Sequence, residues 1–123
     1  MSDEKPEWLR VRPPSGSAYE RMRDQMSARG VCTVCSSSQC PNKGECWSQG
    51  HAAFMILGTV CTRRCGFCAV RTGVPDAPDP GEPAALGETV RELGLDRCIL
   101  TSVTRDDLND GGAGHFAAAV EAI

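Results

Sequence analysis

"AAFMILGTVCTRRCGFC", residues 52–68, carries a continuous apolar run that ends at a glycine and opens almost at once onto three cysteines. Its first seven residues, AAFMILG, have the length and unbroken apolarity of a strand buried on both faces, as in a parallel sheet. Cys61, Cys65 and Cys68 follow as C-x3-C-x2-C at the C-terminal end of that strand, where α/β folds place their chemistry. Three thiols are one short of an ordinary zinc site and an odd number for disulfides. A four-iron cluster usually takes four thiolates, so three would leave one iron open to a substrate or cofactor.

The pattern continues toward the C-terminus. After a Pro/Gly-rich connection over residues 73–83, PAALGETVRELGL places Leu86, Val90 and Leu93 at helical spacing, with Gly94 positioned as a C-cap. RCILTSV is a second apolar run, TRDDLNDGG a polar turn, and AGHFAAAVEAI the start of another helix. Strand, helix, strand, helix with continuous apolar strands is the βαβ pattern of a parallel sheet. Two such strands do not close a barrel, which takes roughly 200 residues or more, so the 123-residue chain reads as the front of a longer protein.

Toward the N-terminus, residues 1–16 read as an extended arm, because Pro6, Pro13 and Pro14 discourage helix. SAYERMRDQMSARG reads as a helix, with Ser17 as N-cap, Tyr19, Met22 and Met26 as a packing stripe, and Gly30 just past its end. Residues 31–50 are rich in Cys, Ser, Pro and Gly with no sustained hydrophobic period. Something other than an apolar core is expected to order them. The domain reading is therefore 1–50, an arm, helix and cysteine-rich segment, and 51–123, the start of an α/β unit.

Composition narrows the partners. Thirteen basic against sixteen acidic residues give a net charge of −3, without the basic footprint that nucleic-acid binding leaves. No run is long enough to span a membrane. The N-terminus lacks the apolar segment of a signal peptide and is too acidic for a transit peptide. The expectation is a cytoplasmic protein, where eight clustered cysteines are more often metal ligands than disulfides.

The loop at Cys61, Cys65 and Cys68, with Phe67 at an aromatic position, resembles the C-x3-C-x-Φ-C signature of radical S-adenosylmethionine enzymes. Upstream, VCTVCSSSQCPNKGECW contains Cys35, Cys40 and Cys46 in C-x4-C-x5-C. Together with KPEWLRVRPPSG, FMILG and TSVTRDDLNDGGAGHFA, in that order along nearly the whole chain, these motifs resemble the lipoyl synthase family. Thr59, Val60 and Thr104 depart from that family's usual residues.

The resemblance implies the first βαβα units of a partial (β/α) TIM-like radical S-adenosylmethionine barrel, preceded by a helix and an auxiliary-cluster segment. It implies two [4Fe-4S] clusters, one held by Cys61, Cys65 and Cys68 and an auxiliary one held by Cys35, Cys40 and Cys46. It also implies S-adenosylmethionine as cosubstrate, two molecules being cleaved as sulfur enters carbons 6 and 8 of a protein-bound octanoyl chain. The implied partners are an octanoylated lipoyl-domain protein (a 2-oxoacid dehydrogenase E2 subunit or a glycine cleavage H protein) and an electron donor such as flavodoxin or ferredoxin. The family completes its auxiliary cluster with a serine near its C-terminus, beyond the last residue here.

Arg105, Asp106 and Asp107 follow the second strand and should lie near the cysteine loop. The family uses this neighbourhood to contact the cofactor's amino group, and an acidic residue suits an ammonium. A solvated turn, with Asp106 or Asp110 capping the next helix, accounts for them equally well. Arg63 and Arg64 fit either an anion-holding role or surface solvation. His51 and His115 read as structural and Cys98 as a small buried hydrophobe.

Two alternatives remain. A zinc-binding structural or interaction module would pair Cys32 and Cys35 with Cys65 and Cys68. The 29 residues between those pairs exceed the separation of about 15–20 usual for such sites, and Cys40, Cys46 and Cys61 would be left over. A different radical S-adenosylmethionine enzyme with an auxiliary cluster is the other.

Overall fold

The computed structural model describes residues 4–123; residues 1–3, the tip of the expected arm and of the 1–50 segment, lie outside the described residues. From Glu4 to Ser15 the arm is exposed throughout, with one 3-10 turn at Glu7–Leu9. Helix α1 (Ser17–Arg29) follows. Ser17 is its first helical residue and not its cap: Gly16 holds the cap with φ of 105°, a conformation that glycine adopts without strain. Tyr19, Met22 and Met26 are buried as the stripe predicts, each contributing roughly 1.5–3 kcal/mol by leaving water. Gly30 ends the helix in the left-handed region.

The cysteine-rich segment is more regular than its composition suggests. It forms two short helices, α2 (Val34–Ser37) and α3 (Lys43–Ser48). Thr33 caps α2, its hydroxyl oxygen accepting the Ser36 N–H at 3.2 Å. Trp47 of α3 is buried and stacks on Tyr19 of α1, ring centroids 5.4 Å apart, with the Lys43 ammonium over both rings. A single aromatic anchor thus joins the segment to the core. Sequence periodicity missed it because one tryptophan makes no period.

Strand β1 (His51–Ile56) leads to two two-residue strands, β2 (Val60–Cys61) and β3 (Arg71–Thr72), which pair in parallel around the cysteine loop. Helix α4 (Glu82–Leu93), strand β4 (Arg97–Ser102) and helix α5 (Ala113–Ala122) complete the order. β1 and β4 pair in parallel, from His51 opposite Arg97 to Ile56 opposite Ser102. The other edge of β1 carries an antiparallel bridge between Phe54 and Thr33, beside the Met55 N–H, which donates to the Cys32 carbonyl at 2.9 Å. β1 therefore lies between the cysteine-rich segment and β4, and Phe54, Met55 and Ile56 are all buried.

The result is a mixed α/β fold with short parallel strands and, among the described residues, no closed barrel. Leu86 of α4 is buried as its spacing predicts, and Gly94 is the left-handed C-cap. α4 and α5 approach closely at Gly87, where a β-carbon would overlap the Ala122 carbonyl. Arg29 ties α1 to α4 by pairing with Glu88 at 3.0 Å and also with Glu92. β4 is less covered than β1, since Arg97 and Ile99 on one face are exposed. Among the described residues, no helix is long and apolar enough to cross a membrane.

Candidate functional site

The cysteine loop begins where β1 is forced to stop. Leu57 adopts φ of 68°, a left-handed conformation that costs a branched side chain free energy. It is held there by burial of its side chain and by both backbone polar groups. Its N–H donates to Glu82 Oε2 and its carbonyl accepts from Arg105 Nη1, each at 2.9 Å. Glu82 Oε2 also meets His115 Nε2 at 2.6 Å, which gives His115 a structural partner on α4. The chain then turns through Gly58 into β2 and the loop.

The backbone around the loop is directed at sulfur. The Thr104 N–H donates to Cys61 Sγ at 3.3 Å, and the Val70 N–H to Cys68 Sγ at 3.4 Å. Burial opposes ionisation of Cys61, but backbone donors from Arg63 and Thr104 outweigh it and hold its thiol below the usual range. Cys65 and Cys68 are exposed, and the Phe67 ring between them is 94% exposed. Gly73 N–H to Cys61 O and the Thr72 hydroxyl to Arg63 O, at 3.1 and 3.2 Å, close the base of the loop.

The turn after β4 meets the loop, as its position after a parallel strand predicts. Arg105 is not solvated: its side chain is 1% exposed and each of its three guanidinium nitrogens donates a hydrogen bond. It holds Asp107 with two bonds of 2.9 and 2.8 Å, and it also donates to the Leu57 and Asp76 carbonyls. Asp106 accepts two bonds from Arg63, at 3.1 and 3.0 Å, and one from the Thr62 hydroxyl at 2.8 Å. These partners hold Asp106 and Asp107 below the usual carboxylate range. Asp110, not Asp106, serves the next helix: its oxygens accept the Gly112 and Gly114 N–H groups, both at 2.9 Å. Arg63 thus pairs within the protein. A cleft of about 400 Å³ opens beside this turn, lined by Ser102, Thr104, Arg105, Asp106 and neighbours.

The second cysteine group lies along the opposite edge of β1. Cys35 Sγ is 3.9 Å from the Ala53 carbonyl, and the Cys40 N–H donates to the Cys35 carbonyl at 3.1 Å. Cys46 lies on α3, so the three residues sit on two short helices and the turn between them. Cys35, Cys40 and Cys46 are all half-buried. Burial pushes the Cys32 thiol up, and the Cys98 thiol in β4 likewise. A larger cleft, about 640 Å³, lies between the arm and α3 and is lined by no cysteine.

Among the described residues, no group of three or more His, Cys, Asp or Glu side chains is gathered as a metal site. The donor set nonetheless suits an iron–sulfur cluster, because N–H groups directed at thiolate sulfur are what stabilise and tune such ligands. Thr62, Thr104, Glu82 and Leu57 all shape the site, yet no local spacing in the sequence signals these roles. Their partners lie 25 to 48 residues away along the chain. No protein-family model matches the chain.

Proposed function

We propose that this chain carries the radical-generating loop and auxiliary-cluster segment of a lipoyl synthase, and that its two parallel strands begin a (β/α) barrel. The observation that carries the reading is the pair of N–H···S bonds to Cys61 and Cys68. They sit on a three-cysteine loop at the C-terminal end of a parallel strand, whose other edge packs against the segment bearing Cys35, Cys40 and Cys46. A structural zinc module would use four ligands and keep no open position.

In this reading Cys61, Cys65 and Cys68 hold one [4Fe-4S] cluster, and Cys35, Cys40 and Cys46 hold the auxiliary one. The clusters supply the electron that cleaves S-adenosylmethionine and the sulfur that is inserted at an unactivated alkyl carbon. The chain's own residues orient and shield. Leu57, clamped by Glu82 and Arg105, sets the direction in which the loop leaves β1. Phe67 offers an apolar ring to the bound cofactor. Arg105 keeps Asp107 ionised in the turn whose neighbouring residues line the cleft at the end of β4, and a carboxylate of this turn suits the cofactor's ammonium group.

The substrate in this reading is an octanoyl chain on a lipoyl-domain protein, with a flavodoxin- or ferredoxin-type donor, in the cytoplasm. The test is anaerobic reconstitution with iron and sulfide, followed by metal and sulfide analysis and by detection of 5′-deoxyadenosine from S-adenosylmethionine under reductant. Iron and sulfide bound together, with cofactor cleavage lost on replacing Cys61, Cys65 and Cys68, is the expected result. Stoichiometric zinc without sulfide overturns the reading.

A further inference from the structure

Six hydrogen bonds join the first two residues after Cys61 to the turn after β4, although more than 40 residues separate them. The Thr62 N–H and hydroxyl both approach the Thr104 carbonyl, at 3.2 and 3.0 Å. The same hydroxyl lies 2.8 Å from Asp106 Oδ2 and accepts the Asp106 N–H at 3.2 Å. Its one proton is shared between two acceptors, and its lone pair takes the backbone donor. Asp106 then grips Arg63 through both carboxylate oxygens. Thr104, whose carbonyl receives Thr62, is the residue whose N–H reaches Cys61 Sγ.

We infer that Thr62 and Asp106 form a brace that fixes the three-cysteine loop against the turn after β4. Asp106 acts as a positioning residue through Arg63, while Thr62 sets the Thr104 N–H on the Cys61 sulfur. The inference rests on the reading of this loop as a cluster site for its functional meaning. Both faces of the loop's base are held: β3 supports it on one side through Thr72 and Gly73, and the brace supports it on the other. Beyond the base, Cys65 to Cys68 are exposed and make few bonds, so the brace is what transmits the geometry of β4 to the ligands. The three carboxylates of the turn therefore have separate duties, Asp106 toward the loop, Asp107 toward Arg105 and Asp110 toward the start of α5.

The experiment has a metal-free arm and an iron-loaded arm. In the reduced, metal-free protein, amide hydrogen exchange at the base of the loop, at Thr62, Thr104 and Asp106, is compared with that of β1. Asp106→Asn and Thr62→Val are expected to speed loop exchange about fivefold, with β1 unchanged, and Thr62→Ser to restore the slow rate. In the iron-loaded protein, Asp106→Asn and Arg63→Met are each expected to shift the reduced-cluster electron paramagnetic resonance signal, and the double variant to add nothing. Unchanged loop exchange overturns the brace, as do additive shifts or none at all in the loaded variants. A wild-type protein that takes up zinc and no sulfide overturns the cluster reading alone, and the exchange arm then decides the brace by itself.

Discussion

Arg105 Nη1 lies 2.9 Å from the carbonyl oxygen of Leu57, joining the turn after one parallel strand to the residue at which the other strand ends. The same guanidinium holds Asp107 and the Asp76 carbonyl. Replacing Arg105 with Met would leave the buried Leu57 carbonyl without its donor and return the exposed Asp76 and Asp107 acceptors to water. The expected loss is about 1–3 kcal/mol of folding stability, chiefly from the unpaired Leu57 carbonyl, read from urea denaturation. Arg105→Lys should recover little of it, because one ammonium cannot reproduce the planar fork.

Gly112 faces Leu57 from the start of α5. Its φ is 96°, and a β-carbon there would overlap Leu57 Cδ1. Gly112→Ala is expected to cost about 1–3 kcal/mol from backbone strain and overpacking together. Adding Leu57→Ala should relieve the overlap and leave the strain, so the double variant should lose less than the sum of the two singles.

Acid should weaken the turn after β4 in a defined direction. Asp106, Asp107 and Asp110 are each held below the ordinary carboxylate range, the first two chiefly by Arg63 and Arg105 and the third by the Gly114 and Gly112 amides. The unfolded chain therefore binds more protons than the folded one through that range. The stability these groups contribute is present above the unfolded carboxylate pKa, near about 4, and is lost as pH falls through the lower folded values. Urea midpoints measured from about pH 6 down to about pH 2 should fall, and Asp107→Asn should flatten the slope.

Iron retention should separate the cysteines. Cys32→Ser is expected to leave iron content nearly unchanged, since Cys32 lies outside the Cys35, Cys40 and Cys46 set that the resemblance implies and burial pushes its thiol up. Cys35→Ser, Cys40→Ser and Cys46→Ser should each lower it. Equal losses from Cys32→Ser and Cys35→Ser would show that the ligand set is drawn wrongly.

The sequence disclosed the elements with a strong period or a terminator of their own. Tyr19, Met22 and Met26 announced α1, Leu86 with Gly94 announced α4, and the two apolar runs announced the parallel pair. What stayed hidden depends on single residues acting at a distance. Trp47 anchors a segment whose composition looks coreless, and Glu82 and Arg105 clamp a leucine in an unusual conformation. The cysteine ligand candidates were legible because their spacing is local. The partners of Arg105 and Asp106 were not, because tertiary contact alone decides whether a charged turn is solvated or structural.

β1 is bordered on one edge by residues shortly before it in the chain and on the other by β4, reached through a loop about twice as long. Each doubling of a closed loop costs only ~0.6 kcal/mol, but the sign is fixed: the Thr33–Phe54 bridge is the cheaper to close. During synthesis it is also the first whose two halves both exist. The segment bearing Cys35, Cys40 and Cys46 is therefore expected to settle against β1 before Thr104 and Asp106 reach the other cysteine loop, an order that pulsed hydrogen exchange during refolding would check. The order of assembly that the topology favours is thus upstream thiols first, with Cys61, Cys65 and Cys68 set in place after β4 arrives.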